Sequence, residues 1–133
     1  MDHAGGAIGM GLYEGWRDRA FAERRLAIQT LPGAPTVYAK ISGFGMRLWG
    51  FHFQDGAVPP TLEELAAAIR PYVETSIEVF GPSGCMFESN VPADNGSFSY
   101  GTLWNAAKLI VSSYAESEQH VLFHGTVERA CRL

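Results

Sequence analysis

The chain has 133 residues, of which 47% are hydrophobic and 18% charged, and its formal net charge is −4 at pH 7. This composition suits one globular domain with its own core, which we expect to span residues 1–133. The acidic balance without a basic run argues against a nucleic-acid partner. No apolar run approaches the roughly 18–20 residues of a membrane helix, so no membrane partner is expected. The sequence shows no signal-peptide pattern, and its two cysteines, Cys85 and Cys131, are predicted to be buried thiols in a cytoplasmic protein.

The first residues form a polar cluster, Asp2-His3-Ala4-Gly5-Gly6. Such a cluster is typical of the end of a strand, where glycines allow a tight turn. The alternative is a flexible start that carries a histidine by chance. A helix is then predicted to run from Asp18, as its cap, to about Leu31, and the segment 32–35, rich in proline and glycine, ends it.

Residues 36–43 predict a strand because β-branched and aromatic residues alternate with polar ones. Lys40 lies inside this strand. It is either an edge residue or an inward-pointing functional cation, and we favour the second because helices are predicted on both sides of the strand.

Residues 44–60 form a long connection in which apolar side chains are interleaved with Arg47 and His52. Long loops inside compact domains are commonly functional. Aromatic residues such as Trp49, together with one or two polar groups, suit a lid over a small-molecule pocket. The alternative is a loop that packs on its own domain or forms an oligomer contact.

A capping box, Thr61 to Glu64, predicts the start of a helix that runs to Phe80 and ends at Gly81. Pro71 is expected to kink or divide it. Residues 85–87 then read as a short buried strand, followed by Glu88, Ser89, Asn90 and, farther on, Asp94. Polar residues at such a strand end lie where α/β folds place their chemistry, although a solvated strand end is the alternative.

Two further helices are predicted, one from about Tyr100 to Tyr114 and one that begins at Glu116. Gly125 is expected to interrupt the second, and Thr126 to cap a last short helix. His120 and His124 lie in this tail and are interpreted as structural or exposed.

The order of elements predicts an α/β fold with a parallel sheet. Only two full strands are present, with the remnant of a third at His3. So few strands cannot close a barrel and leave unpaired edges. We therefore expect the chain either to pair its edges with another copy as a homo-oligomer, or to be a piece of something larger.

Four segments, in order, resemble the C-terminal part of the amidohydrolase-related (amidohydrolase 2) family. They are Asp2-His3-x-Gly5-Gly6, Val37-Tyr38-x-Lys40-x-Ser42-Gly43, Met86-Phe87-Glu88-Ser89-Asn90-Val91-Pro92-x-Asp94, and Leu122-Phe123-His124-Gly125-Thr126-x-x-Arg129-x-x-x-Leu133. The family consists of metal-dependent hydrolases with a (β/α)8 TIM barrel, and its lactonase-like subgroup includes pyrone-dicarboxylate and sugar-acid lactonases. The resemblance implies a partial barrel, formed by the last two to three βα units and the C-terminal helices.

By this resemblance, His3 matches the histidine at the end of the sixth strand, where it would be catalytic or a weak metal ligand. Lys40 and Arg47 match positions that contact a substrate carboxylate, and Trp49 and His52 lie in the adjoining loop that we assign to substrate binding. Asn90 stands where the family usually has an aspartate that binds metal or activates water. An amide cannot take a proton at neutral pH, so Asp94 is the candidate for a displaced base.

The resemblance also implies a divalent metal, with zinc as a candidate, but the family's His-x-His metal motif is absent from the 133 residues. Two functions therefore stay open. The chain is part of a hydrolase that acts on cyclic esters or amides, such as lactones of carboxylated small molecules, or it is an inactive truncated half-barrel stabilised by self-association. Whether this chain is itself an enzyme is left undecided by the sequence.

Overall fold

The computed structural model describes residues 1–31 and 36–133 of the chain. It contains five α-helices and two β-strands in the described ranges. The helices are α1 (Arg17–Ile28), α2 (Leu62–Phe80), α3 (Tyr100–Ile110), α4 (Glu116–His120) and α5 (Thr126–Cys131), and the strands are β1 (Ala39–Ile41) and β2 (Cys85–Phe87). The predicted α/β order of helices and strands is confirmed, while segment 32–35, expected to end the first helix, lies outside the described residues.

The two strands run parallel, with Ala39 opposite Cys85 and Ile41 opposite Phe87. The backbone of Met1 continues this arrangement on the other side of β1. Its amino group donates to the Tyr38 carbonyl at 2.7 Å, and its carbonyl accepts from the Lys40 amide at 2.9 Å. Met1 therefore lies beside β1 as a third, one-residue strand would, which agrees with the strand remnant expected at the start of the chain.

Helix α2 is the longest helix of the described chain and covers the strand pair. Thr61 and Glu64 form the predicted capping box, and the Gly81 amide closes the other end by donating to the Ile77 carbonyl at 2.8 Å. The buried face of α2 packs against α3 and the strands. Its fully or almost fully buried apolar side chains are Leu65, Ala66, Ile69, Tyr72, Val73 and Ile77.

Several predicted boundaries were wrong. Helix α1 ends at Ile28 rather than Leu31, and its cap is Trp16, with Asp18 in the first turn. Strand β1 covers three residues of the predicted 36–43. Pro71 does not divide α2, which is continuous through it.

The tail also differs from its prediction. Helix α3 ends at Ile110 rather than Tyr114. A π-helical turn at Val121–Gly125 joins α4 directly to α5, so Gly125 does not interrupt the helix. Cys131 is exposed, whereas Cys85 is buried as predicted. None of the described helices is both long and apolar enough to cross a bilayer.

Candidate functional site

The carboxyl ends of β1 and β2 carry a polar cluster around Glu88. The strand ladder extends one step beyond β2, since the Glu88 amide donates to the Ile41 carbonyl at 3.2 Å. Side chains alternate along strands, so Lys40, Ser42 and Glu88 share one face of the strand pair. Ala39 and Ile41 share the opposite face and are buried in the core.

Glu88 joins two residues of the neighbouring strand. Its Oε1 lies 2.6 Å from Lys40 Nζ, and its Oε2 accepts a hydrogen bond from Ser42 Oγ at 2.8 Å. Lys40 Nζ also lies 3.3 Å from Asp2 Oδ1. The hydrogen bond with Glu88 raises the pKa of Lys40, and the hydrogen bond with Lys40 lowers the pKa of Asp2. The ammonium group is therefore held between two carboxylates at the strand ends.

His3 lies beside this cluster, in a 3₁₀ turn over His3–Gly5. Its φ of 51° places it in the left-handed region, and its Nδ1 lies 3.4 Å from Ser42 Oγ. Gly43 makes room for the ring, because a Cβ at residue 43 would lie 2.7 Å from His3 Nδ1. The ring is thus packed directly on the backbone that follows β1.

Asn90 and Asp94 form a second pair after β2. Asn90 Nδ2 donates to Asp94 Oδ1 at 2.8 Å, and Asp94 is only 2% exposed. Asp94 Oδ2 is buried and has no hydrogen-bond partner among the described residues. Burial raises the pKa of Asp94, although the Asn90 hydrogen bond and the Gly45 backbone partly offset this effect. A buried carboxyl group with a raised pKa is suited to proton transfer.

Arg47 and His52 lie in a different group, around Asp55. Arg47 Nη2 is 3.2 Å from Asp55 Oδ1, and His52 Nδ1 is 3.0 Å from Asp55 Oδ2. Both side chains are more than half exposed. Within the described residues, no ion pair or hydrogen bond joins this group to Glu88. The structure therefore brings together His3 and Lys40 at one strand end and Asn90 and Asp94 after the other, and leaves Arg47 and His52 on the connecting loop.

Trp49 is part of the core. It is 2% exposed, its ring centroid is 5.1 Å from that of Tyr72, and it stacks on Phe51. The aromatic loop therefore packs on its own domain at this point, which was the alternative to a lid. Buried in this way, Trp49 offers almost no surface to a substrate.

The sequence analysis counts Glu88 among the polar residues at the strand end, but it assigns no role in the site to Glu88, Asp2 or Ser42. Strand alternation was the available signal, because Lys40 and Ser42 are two residues apart and Glu88 is two before Asn90. What the sequence does not provide is the register that sets Glu88 one step beyond the Ile41–Phe87 pair.

The described residues do not make a complete metal site. No group of three or more His, Cys, Asp or Glu side chains within residues 1–31 and 36–133 is arranged to hold a metal ion. His3 and the unpartnered Asp94 Oδ2 have the right chemistry for ligands, but a transition metal needs at least three or four donors. A resident metal would therefore require ligands beyond those of the described residues.

An α/β fold with polar residues gathered at the carboxyl ends of parallel strands is the arrangement found in many α/β enzymes. The amidohydrolase family model matches residues 1–133, and the chain belongs to this family. It is 38% identical over 125 residues to the uncharacterised protein y4mH of Sinorhizobium fredii (strain NBRC 101917 / NGR234), covering 93% of this chain and 35% of that protein.

Two solved structures of an amidohydrolase from Burkholderia multivorans are also similar. The one with bound zinc is 26% identical with a TM-score of 0.80, covering 99% of this chain and 43% of that one. The one with bound HEPES is 27% identical with a TM-score of 0.82, covering 100% and 44%. The chain thus spans about a third of the curated relative and less than half of the solved ones.

Proposed function

We propose that this chain supplies part of the active site of a hydrolase that opens cyclic esters or amides of carboxylated small molecules, such as lactones. In this proposal its strands are the last of a partial (β/α)8 barrel. The observation that carries the proposal is Asp94. It is 2% exposed, it is held by Asn90, its pKa is raised by burial, and one of its oxygens has no partner among the described residues.

In the proposed reaction, a water molecule adds to the ring carbonyl carbon and gives its proton to Asp94. The carbon–oxygen bond of the ring, or the carbon–nitrogen bond of an amide, then breaks, and the leaving group takes that proton. This step requires water to reach Asp94 Oδ2, which is buried in the structure. Lys40 and His3 are assigned to the developing oxyanion or the substrate carboxylate. Arg47, exposed on its loop, is assigned to the carboxylate because guanidinium groups bind carboxylates in a bidentate manner.

A divalent metal, as the family implies, would need ligands in addition to those of the described residues. When bound, a divalent ion would polarise the carbonyl or acidify the attacking water. One crystal structure of the Burkholderia multivorans amidohydrolase contains bound zinc, which supports a metal for that protein.

The test is hydrolysis of a panel of sugar-acid lactones and pyrone dicarboxylates by the purified chain, followed with a pH indicator. Asp94→Asn should lower kcat/KM by at least about 100-fold, the usual contribution of a general base. Asp18→Asn, an exposed aspartate in the first turn of α1, is the matched control and should leave kcat/KM unchanged. Turnover that survives Asp94→Asn would remove Asp94 as the base.

The second candidate is an inactive half-barrel stabilised by self-association. It is supported by the two-stranded sheet, because one edge of β2 is not paired with any strand in the described part of the chain. Native mass measured by light scattering separates the candidates. A stable dimer without turnover on the whole panel favours the second, and a monomer that turns over a lactone rejects it.

A further inference from the structure

We propose that Lys40, Glu88 and Ser42 form a relay that fixes the neutral His3 ring as its Nδ1–H tautomer and leaves the Nε2 lone pair free. The three residues are positioning residues in this proposal, because they act on His3 through contacts with one another. The proposal rests on the proposed function only in placing Nε2 within an active site.

The relay begins at the ion pair. Lys40 Nζ lies 2.6 Å from Glu88 Oε1, and the ammonium is also 3.3 Å from Asp2. A glutamate paired with an ammonium group in this way is a carboxylate. It accepts hydrogen bonds through both oxygens and has no proton to donate.

Ser42 connects Glu88 to His3. Its hydroxyl has a single hydrogen, and the carboxylate Oε2 at 2.8 Å can only receive it. The remaining lone pairs of Ser42 Oγ are then the groups that face His3 Nδ1 at 3.4 Å. Ser42 is completely buried, so water does not compete for its hydroxyl.

His3 completes the relay. A hydrogen bond to an acceptor requires Nδ1 to carry the proton, and the state of one ring nitrogen determines that of the other. Free histidine in water favours the opposite tautomer, so the relay makes a measurable difference. The ring has little freedom to turn away, because Gly43 is packed so closely that a Cβ there would overlap His3 Nδ1 and Cβ.

The chemical consequence concerns His3 Nε2. Among the described residues, the hydrogen bond that this ring makes is the one to Ser42. With the proton fixed on Nδ1, Nε2 is a lone-pair donor that can accept a proton or bind an electrophile. The neutral ring does not donate to the substrate through Nε2, so the contact with an oxyanion or carboxylate assigned to His3 above is made by the imidazolium, after Nε2 has taken up a proton.

Long-range ¹H–¹⁵N correlation spectra of the 133-residue chain at about pH 9, well above the ordinary histidine pKa, report the tautomer directly. His3 is assigned from the signal lost in His3→Asn. We expect the wild-type His3 to be mainly Nδ1–H, Ser42→Ala to convert it mainly to Nε2–H, and Ser42→Thr, which keeps a hydroxyl, to retain Nδ1–H. His52 is an internal reference, because its Nδ1 faces the Asp55 carboxylate at 3.0 Å and should stay Nδ1–H throughout.

A second variant protects the test against misfolding. Glu88→Ala removes the acceptor, so the Ser42 hydroxyl is free to donate to Nδ1, and the Nε2–H tautomer should again increase. Backbone amide spectra establish that each variant is folded. The proposal is overturned by a wild-type His3 that is mainly Nε2–H, or by folded Ser42→Ala and Glu88→Ala variants with an unchanged tautomer. The spectra need no turnover, so this outcome is separate from the outcome of the lactone assay.

Discussion

Asp94 makes the stability of the protein depend on pH. Burial raises the pKa of its carboxyl group above the ordinary value, so the folded state binds this proton more tightly than the unfolded state. The contribution of Asp94 to stability is therefore fully present below the ordinary aspartate pKa of about 3.9 and is lost as the pH rises through the raised pKa.

We expect Asp94→Asn to remove this dependence. The asparagine still accepts the Asn90 hydrogen bond but does not ionise. As the pH rises from about 4, the wild type should lose stability relative to Asp94→Asn, because the buried Asp94 carboxyl group ionises. This relative loss should stop once the pH exceeds the raised pKa of Asp94. Urea denaturation at a series of pH values measures it, with Asp18→Asn as the control. Parallel pH profiles for wild type and Asp94→Asn would contradict the raised pKa.

Gly43 should be intolerant of any side chain. Its φ is 79°, and a Cβ would lie 2.7 Å from His3 Nδ1 and 2.8 Å from the end of Met46. We expect Gly43→Ala to destabilise the fold by about 1–3 kcal/mol, from left-handed backbone strain and displacement of His3. Gly96→Ala is the control, since nothing lies within 4 Å of the position that its Cβ would take. Equal urea midpoints for the two variants would show that the His3 ring is not packed on Gly43.

At the residue level, the sequence indicates part of the site. The segment from Glu88 to Asp94 stands out because polar residues follow a short apolar strand, and the structure joins Asn90 to Asp94 there. The contacts of Glu88 with Lys40 and Ser42 do not follow from the sequence. Those contacts come from residues more than 40 positions away, and local spacing does not encode which strands pair or in what register.

At the scale of elements, Arg24 ties α1 to α2 and to the turn that carries His3. It is 5% exposed, its Nε donates to the Ala4 carbonyl at 2.7 Å, and its Nη2 donates to Ser76 Oγ at 2.6 Å. Burial lowers its pKa to about 10, which still leaves it charged at neutral pH. One guanidinium therefore bridges three segments of the chain.

Replacing the Arg24 guanidinium with a lysine ammonium group should destabilise the fold. We expect Arg24→Lys to reduce the unfolding free energy by about 1.5–3 kcal/mol, since hydrogen bonds from charged groups contribute about that much and a lysine cannot span both acceptors. Arg25→Lys, at the next position and half exposed in an ion pair with Glu78, should stay within about 0.5 kcal/mol of wild type. Chemical denaturation of the Arg24→Lys and Arg25→Lys variants measures both changes in unfolding free energy. A similar, small decrease in the two variants would contradict the bridging role of Arg24.

Elements with a strong local signal are predicted well. Helix α2 has its capping box and its glycine end where the sequence places them, because both are made by residues within four positions of one another. Pro71 is expected to kink or divide α2, and Gly125 to interrupt the last helix, and neither residue ends its helix. Helix α2 continues through Pro71, whose carbonyl accepts a hydrogen bond from the Thr75 hydroxyl. The turn that contains Gly125 is π-helical and continues directly into α5. Tertiary packing overrides the local preference in both cases.

On the scale of the whole molecule, the alternation of strands and helices is sufficient to predict an α/β fold with parallel strands, and the strand pairing agrees with it. The packing of the loop around Trp49 does not follow from the sequence. A run of aromatic residues next to Arg47 and His52 has the same composition whether it covers a pocket or fills a core. The tertiary contacts decide for the core, because Trp49 and Phe51 pack against Tyr72 of α2 and Trp49 also packs against Phe44.

The two cysteines allow local unfolding around β2 to be measured by chemical modification. Cys85 lies in β2, its Sγ donates to the Ser76 carbonyl, and burial raises its pKa to about 12, whereas Cys131 is exposed on α5. Because thiolates are the reactive form, a maleimide should modify Cys131 rapidly and leave Cys85 untouched while the fold is intact. Mass spectrometry would then show one adduct in native buffer and two in urea.

The rate of the second adduct reports how often β2 and α2 separate far enough to expose the Cys85 thiol. If closing is faster than alkylation, that rate follows the free energy of opening around β2. Variants such as Gly43→Ala and Arg24→Lys would then be ranked on microgram amounts, without a substrate and without a spectroscopic label.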